Sequence, residues 1–267
     1  MPMQSPALKN MVRTLLRRSP SIESALRGIY LAAHFRPVSP GNFTRVSERL
    51  SSSWTDGGIP GEQWAVVAPQ LEAYRAGNPS PTFDALVDIL VHNICGLDNK
   101  SLLEIGCSSG YYAEVLRCRG LAASYQGCDF SPAFVRLARQ MHPSIQFDVE
   151  DATRLSYRSD SFDIVVSGCC LLHISNYETA IAEAARVSRE YVVFHRTPVL
   201  HLKGPAFYTK TAYGTEMLEI HFNEQQLVRM FVTSNLHVVD INSHLSLPES
   251  RQSDLLIYKT YLCQKMK

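Results

Sequence analysis

The chain has 267 residues, a net charge of +1, 45% hydrophobic residues and 19% charged residues. That length accommodates a full α/β core with room for one insertion, and the apolar fraction is ordinary for a globular protein. No run reaches the roughly 18 apolar residues of a membrane-spanning helix, the N-terminus lacks the apolar stretch of a secretory signal, and no nucleic-acid module is recognisable.

Charge is spread unevenly. Residues 1–50 hold eight basic residues (Lys9, Arg13, Arg17, Arg18, Arg27, Arg36, Arg45 and Arg49) against Glu23 and Glu48. Leu8, Met11, Val12, Leu15 and Leu16 recur at helical spacing, which predicts an amphipathic helix over 7–18. The basic end reads first as a solvated helical face, with contact to an anionic membrane surface as the alternative. Residues 37–55 are rich in Ser, Pro and Gly, and 57–61 form a turn cluster, so 1–60 reads as a basic, partly helical, loosely packed segment. Helices are predicted over 63–75 and 83–95, parted by the break at 77–81, and 61–98 reads as a helical cap. Trp54 and Trp64 read as packing between cap and sheet, or as a substrate wall.

From residue 99 onward, strands alternate with helices. Residues 101–105 read as a buried parallel strand, and 111–119 as a helix opening straight after the turn. Gly106, Ser108 and Gly110 let the backbone bend tightly and approach a ligand, whose negative group would face free N–H groups at the helix start. A second strand over 124–128 ends in Asp129, and Ser131-Pro132 opens another helix with Ser131 as its cap. An acid at that tip, about 20 residues past the turn, suits the two hydroxyls of a ribose. A third strand over 145–149 is followed by Asp151-Ala152, and a fourth spans 161–166. Then come a helix over 177–188, a strand over 191–194, an insertion over 197–222, a helix over 223–234, and closing strands near 238–243 and 255–263.

A dinucleotide site wants its third glycine at 111, where Tyr111 stands. The pattern Glu104-x-Gly106-x-Ser108-x-Gly110 instead resembles motif I of the class I S-adenosylmethionine-dependent methyltransferases, acid-x-Gly-x-Gly-x-Gly. Asp129, Asp151-Ala152 and Phe162-Asp163-Ile164-Val165 follow in the family's order, so the resemblance spans 101–174. It implies an α/β fold of the Rossmann-like class I methyltransferase type: a mostly parallel seven-stranded sheet with helices on both faces, here plus the N-terminal helical cap. The implied domain is 99–267, with the insertion of 197–222 lying over the substrate. The implied cofactor is S-adenosylmethionine, held by Glu104, Gly106, Ser108, Gly110, Asp129, Phe130, Asp151 and Ala152, with the Asp151-Ala152 pair along the adenine. The pattern Trp54…Gln63…Leu71-x-x-Tyr74-Arg75-x-Gly77-x-Pro79 resembles the cap of a bacterial subgroup attached to glycan or secondary-metabolite pathways. Two residues depart from the family: Ser108 replaces a glycine, and Glu150 stands where glycine commonly precedes Asp-Ala. They keep open a cofactor-binding scaffold without turnover, and the basic N-terminus keeps open a lipid methyltransferase.

Methyl transfer from a sulfonium needs alignment and exclusion of water, and no acid for the leaving group. A hydroxyl acceptor adds the need for a base. His173 and His195 follow the fourth and fifth strands, at the edge where open α/β sheets bind ligands, and imidazole suits that role. Each reads equally as a hydrogen-bonded packing residue. Tyr213, Glu216 and His221 are further candidates in the insertion, and Cys169-Cys170 reads as packing, with a metalloid site as the alternative. The seven cysteines (95, 107, 118, 128, 169, 170 and 263) form no Cys-x-x-Cys pair and read as reduced thiols of a cytoplasmic protein without a metal site. The expected activity is methylation of a small molecule, foremost at oxygen on a glycan precursor or natural product, with no nucleic-acid partner.

Overall fold

Strands covered on both faces must be apolar at nearly every position, and the central strands of this chain are. The structure, a computed structural model, describes residues 35–201, 204–248 and 255–266. The helix expected over 7–18 and most of the basic segment lie outside the described residues. In chain order the elements are β1 (Phe35–Val38), α1 (Phe43–Arg49), α2 (Ile59–Arg75), α3 (Pro81–Asn93), β2 (Ser101–Ile105), α4 (Tyr111–Cys118), β3 (Ser124–Asp129), α5 (Pro132–Met141), β4 (Gln146–Val149), β5 (Phe162–Gly168), α6 (Tyr177–Val187), β6 (Ser188–Leu200), β7 (Ala206–Ala212), β8 (Thr215–Asn223), α7 (Glu224–Thr233), β9 (Leu236–Pro248) and β10 (Leu255–Lys265).

The expected seven-stranded sheet is present in the order β4-β3-β2-β5-β6-β10-β9, parallel except for β10, which runs antiparallel to both β6 and β9. Three further strands extend it. β8 pairs in parallel with β6 at Val199 and Leu200, β7 lies antiparallel to β8, and β1 antiparallel to β7. The insertion is therefore a β-hairpin. Its two-residue loop, Tyr213-Gly214, has φ values of 52° and 77°, as a tight hairpin turn of the primed type requires.

Side chains of β2 alternate between faces. Leu102 joins Leu71, Phe83, Leu90 and Val115 of α2, α3 and α4, whereas Leu103 and Ile105 join Ile181, Leu227 and Phe231 of α6 and α7. The helices α2 and α3 thus share one core with the sheet, and Trp64 packs against that core. Ser80 caps α3 by accepting the Phe83 N–H at 3.4 Å, with Pro81 in the first turn, and Asn223 caps α7 by accepting the Gln226 N–H at 3.0 Å.

Residues 35–60, expected to pack loosely, are instead held by apolar anchors. Phe43 lies 4.1 Å from Phe207, Leu50 is buried, and Trp54 lies 4.8 Å from His173. An Arg49–Glu216 ion pair at 2.7 Å adds a polar tie to the hairpin. The Ser, Pro and Gly content marks the turns between these anchors and says nothing of the three large side chains themselves.

Phe231 of α7 stacks on Phe194 at 4.5 Å with an interplanar angle of 9° and meets Tyr261 edge-on at 5.6 Å. Phe231→Ala is expected to cost about 3–5 kcal/mol in urea unfolding, the usual range for truncating a buried Phe. A cost below about 1 kcal/mol would show that this contact does not anchor α7.

Candidate active site

A cavity of about 610 Å³ opens at the C-terminal ends of the parallel strands, within the roughly 300–1,000 Å³ typical of small-molecule sites. One wall is built from the turns after β2, β3, β4 and β5 and contains Gly106, Ser108, Asp129, Phe130, Asp151 and Ala152. The opposite wall is Trp54, Lys210, Tyr213, Met217 and Glu219, from the N-terminal segment and the β7–β8 hairpin. His173, Arg196 and Tyr258 lie in the cavity wall as well.

The turn after β2 runs through left-handed backbone at Gly106 (φ 71°), Ser108 (φ 55°) and Gly110 (φ 75°). A Cβ at Gly106 would run into Cys170, and one at Gly110 would come within 2.7 Å of Phe147. Ser108 is a non-glycine residue in this region, and three contacts hold it there. Its N–H donates to Asp129 Oδ2 at 2.9 Å, its hydroxyl donates to Gln63, and its side chain is buried. Asp129 Oδ1 also accepts the Ser131 N–H at 2.9 Å. Ser131 occupies the cap position of α5 without the side-chain cap bond expected of it, and Asp129 instead holds its backbone N–H at the helix entry. Burial pushes the Asp129 carboxyl up to about 6 against the pull of these two N–H donors. Each oxygen keeps a lone pair beyond its N–H bond for a further donor.

Asp151 is exposed at the cavity lip. Its Oδ1 accepts the N–H and hydroxyl of Thr153 at 2.8 and 2.7 Å, and Oδ2 has no hydrogen bond to any described residue. Glu150, the departure noted above, is tied to the N–H of Ser156 at 2.9 Å and to its hydroxyl. Phe130 is 47% exposed and offers a bare ring face at the same lip. Glu104 does not line the cavity. It is buried beneath the turn, accepts the Tyr125 hydroxyl, and fills the space that a side chain at Gly168 would need. Burial pushes its carboxyl up to about 8, although the Tyr125 bond pulls the other way.

The structure brings one of the two histidines to the cavity. His173 Nδ1 lies 2.6 Å from the Leu218 carbonyl. A carbonyl only accepts, so Nδ1 carries the proton and Nε2 is the free acceptor of a neutral ring. Burial, aided by the charge of Lys210, pushes this imidazole down to about 4. His195 is buried in the core, with Nε2 2.7 Å from the Tyr112 hydroxyl and Nδ1 2.8 Å from Thr260 Oγ1, and it does not line the cavity. Of the weaker candidates, Tyr213 lines the cavity, Glu216 pairs with Arg49, and His221 is buried with Nε2 3.3 Å from Glu219. Cys169 and Cys170 line the wall, and Cys170 Sγ donates to the Ile105 carbonyl at 3.3 Å. Among the described residues no group of His, Cys, Asp or Glu is placed to hold a metal ion.

Glu219 and Lys210, absent from the sequence-based candidates, form an ion pair in the lid. Burial pushes the Glu219 carboxyl up, but the His221 hydrogen bond and the Lys210 charge outweigh it and hold the group below the usual carboxylate range. Arg196 was also missed. It follows His195 directly, and nothing in the local pattern shows which way it turns.

The sequence profile described as "Methyltransferase domain" matches residues 103–194. Over those residues, about a third of the chain, the sequence matches a methyltransferase domain, and the sheet around them has the class I strand order. It is 34% identical over 98 residues to a phthiotriol/phenolphthiotriol dimycocerosates methyltransferase of Mycobacterium leprae, covering 35% of each chain. It is 30% identical over 128 residues to a malonyl-[acyl-carrier protein] O-methyltransferase of a Paenibacillus species, covering 43% of this chain and 46% of the relative. The matches thus span between a third and a half of these curated relatives. Among solved structures, the fold is similar to the 1,6-didemethyltoxoflavin-N1-methyltransferase of Burkholderia thailandensis (TM-score 0.54, 16% identity, 87% of this chain and 95% of that one). It is similar also to a methyltransferase of Methanosarcina mazei (TM-score 0.51, 21% identity, 66% and 97%). S-adenosylmethionine is the cofactor of this family, and the residues present fit it. The glycine cradle admits a close approach, Asp129 retains acceptor capacity, and Asp151 Oδ2 is available for a further donor.

The raised Glu104 makes stability depend on pH. Between its ordinary value near 4.5 and about 8 the folded protein holds a proton that the unfolded chain releases. The stabilisation is therefore complete below the lower value and lost as pH rises through the upper one. Glu104→Gln cannot titrate, so in the ligand-free protein its melting temperature should gain on wild type steadily across that window. A difference that stays constant with pH would remove the raised acid from the account.

Proposed function

We propose that this protein transfers a methyl group from S-adenosylmethionine to a small-molecule acceptor, foremost to an oxygen of a glycan precursor or natural product. The observation that carries the reading is the union of the motif I cradle, Asp129 and Asp151 in one wall of a cavity whose other wall is aromatic and lidded. Asp129 is the residue proposed to accept the ribose hydroxyls, Asp151 and Ala152 to lie along the adenine, and Phe130 to cover the base. Gly106 and Ser108 let the backbone approach the methionine end. Glu104 and Gly110 act one step back, Glu104 by filling the space under the turn and Gly110 by opening α4.

Bound there, the cofactor's sulfonium supplies the methyl group. The chain supplies position, dryness and a proton acceptor. Trp54, Tyr213 and Met217 close the acceptor side against water, which strengthens every polar contact inside. His173 stays neutral at physiological pH, with its proton fixed on Nδ1 by the Leu218 carbonyl, and offers Nε2 to a hydroxyl of the acceptor. His195, held by Tyr112 and Thr260, is a positioning residue of β6 in this reading and not the base. The seven thiols are all free, which supports a reducing compartment such as the cytoplasm. No described helix is long and apolar enough to cross a membrane.

The test is calorimetric titration with S-adenosylmethionine, S-adenosylhomocysteine and NAD, followed by transfer of labelled methyl groups into metabolite extracts. Micromolar binding of the first two without NAD, and label in a small molecule, are expected; absence of binding would remove the reading. Asp129→Ala should weaken S-adenosylhomocysteine at least about tenfold, the scale of a lost charged hydrogen-bond partner. An unchanged dissociation constant would refute the ribose role. His173→Asn keeps a donor for the Leu218 carbonyl but loses the base. It should lower kcat by about 10²–10⁴-fold with S-adenosylhomocysteine affinity unchanged. Full activity in this variant would show that the acceptor needs no base from His173.

A further inference from the structure

Arg196 brings a positive charge into the cavity wall. Its guanidinium lies in the cavity wall, 5.8 Å from the ring centroid of Tyr258, and makes no hydrogen bond or ion pair to any described residue. The groups nearest its charge include Tyr111, Tyr112, Cys169 and Tyr258, with His173 and Tyr213 also within its reach, and none of these is a carboxylate. A guanidinium stays charged at any pH a protein meets, and a half-buried charge without a partner is costly. The other lid cation, Lys210, is already neutralised by Glu219. Among the described residues that line the cavity, Arg196 alone offers a positive charge with free donors.

The backbone shows why the side chain points there. Across the β6–β10 ladder, Phe194 pairs with Tyr261 and Thr197 with Lys259, so His195 and Arg196 together oppose the single residue Thr260. This is a β-bulge, a device that re-aims side chains beside binding sites. It sends His195 into the core, where Thr260 and Tyr112 hold it, and it forces Arg196 to φ 53°, a conformation that favours glycine. Glycine would relieve the backbone here and leave no guanidinium, so the strained residue carries something that glycine lacks.

We propose that Arg196 is the anion clamp of the acceptor subsite, and that the molecule methylated here carries a carboxylate or phosphate which the guanidinium grips with two parallel N–H donors. The inference rests on the methyltransferase reading of the cavity and narrows its substrate class. The remaining wall, with Leu50, Trp54, Leu172 and Met217, is apolar, so the rest of the acceptor is an aromatic or aliphatic body.

The experiment compares 4-hydroxybenzoate, 4-hydroxyphenyl phosphate and the neutral 4-hydroxybenzamide by calorimetry, on the full chain with and without S-adenosylhomocysteine. Wild type is expected to favour at least one anionic probe over the amide by about tenfold or more, and the stronger of the two anions tells carboxylate from phosphate. Arg196→Gly and Arg196→Gln should both lose that preference while their affinity for S-adenosylhomocysteine stays within about twofold of wild type. Arg196→Gly should also melt at or above the wild-type temperature, which separates loss of the clamp from loss of the fold. Equal binding of all three probes by wild type, or a preference that survives in both variants, overturns the proposal. A fall in S-adenosylhomocysteine affinity of about tenfold in the variants assigns the guanidinium to the cofactor's own carboxylate and overturns it too. If wild type binds no S-adenosylhomocysteine, the methyltransferase reading fails, and the probe preference of the ligand-free protein still decides whether Arg196 is an anion site.

Discussion

The carboxylate of Asp129 ties together the loops on which the cavity is built. Its two oxygens take the N–H groups of Ser108 and Ser131, so the turn after β2 and the start of α5 both hang from the tip of β3. Burial works against a charge at this place, and the two N–H donors favour it. The Ser131 hydroxyl makes no cap bond to α5 and is buried without a partner. Glu104 sits below the same turn under opposite conditions, with no backbone donor and one tyrosine hydroxyl, and burial pushes it further up than Asp129. Two acids on either side of the turn after β2 are thus held differently, and only the one with N–H donors faces the cavity.

Much of the cavity wall at the strand ends was legible in the sequence because its residues are local. Most lie in the few positions after an apolar strand, and β2 was read to the residue because its apolar run stops at the glycine turn that begins with Gly106. The opposite wall was not legible. Trp54, Lys210 and Glu219 come together only because β1, β7 and β8 pair in space, and no local pattern announces that pairing. The Tyr213-Gly214 dipeptide was the one available hairpin signal. The strand β6 was read as 191–194 but runs to Leu200, since His195, Arg196 and Thr197 look like the polar start of a loop. They are polar and yet stay in the strand because Tyr112 and Thr260 satisfy the imidazole and the bulge turns Arg196 outward. Strand-end position likewise could not rank the two histidines, because it fixes where a residue lies and not which way its ring points.

The cavity is electrostatically divided as a result. Asp129, Glu150 and Asp151 line the ends of β3 and β4, whereas Lys210 and Arg196 lie toward the hairpin and β6. The Lys210–Glu219 pair ties the hairpin together with little net charge, and burial, aided by Lys210, keeps His173 from taking a proton of its own. Hydroxyl donors suit the acidic half and anions the basic one, so a ligand of mixed character is favoured in one orientation over its reverse.

Backbone strain marks the same surface. Among the described residues six non-glycine positions have left-handed φ, and four of them, Ser108, Cys169, Arg196 and Tyr213, line the cavity. The other two are Asp160 and Asn235, residue types that tolerate this region in turns. Serine, cysteine, arginine and tyrosine tolerate it poorly, each at a cost of about 1–2 kcal/mol. Each is held by its surroundings: Ser108 by Asp129 and Gln63, Cys169 by N–H bonds to the Ser167 and His195 carbonyls, Arg196 by the bulge and Tyr213 by the hairpin turn. Glycine at all four would ease the backbone and empty the cavity wall of a hydroxyl, a thiol, a guanidinium and a phenol. Strain kept at four separate points around one cavity, and relieved at none by the residue that fits best, is the pattern of a surface built to bind.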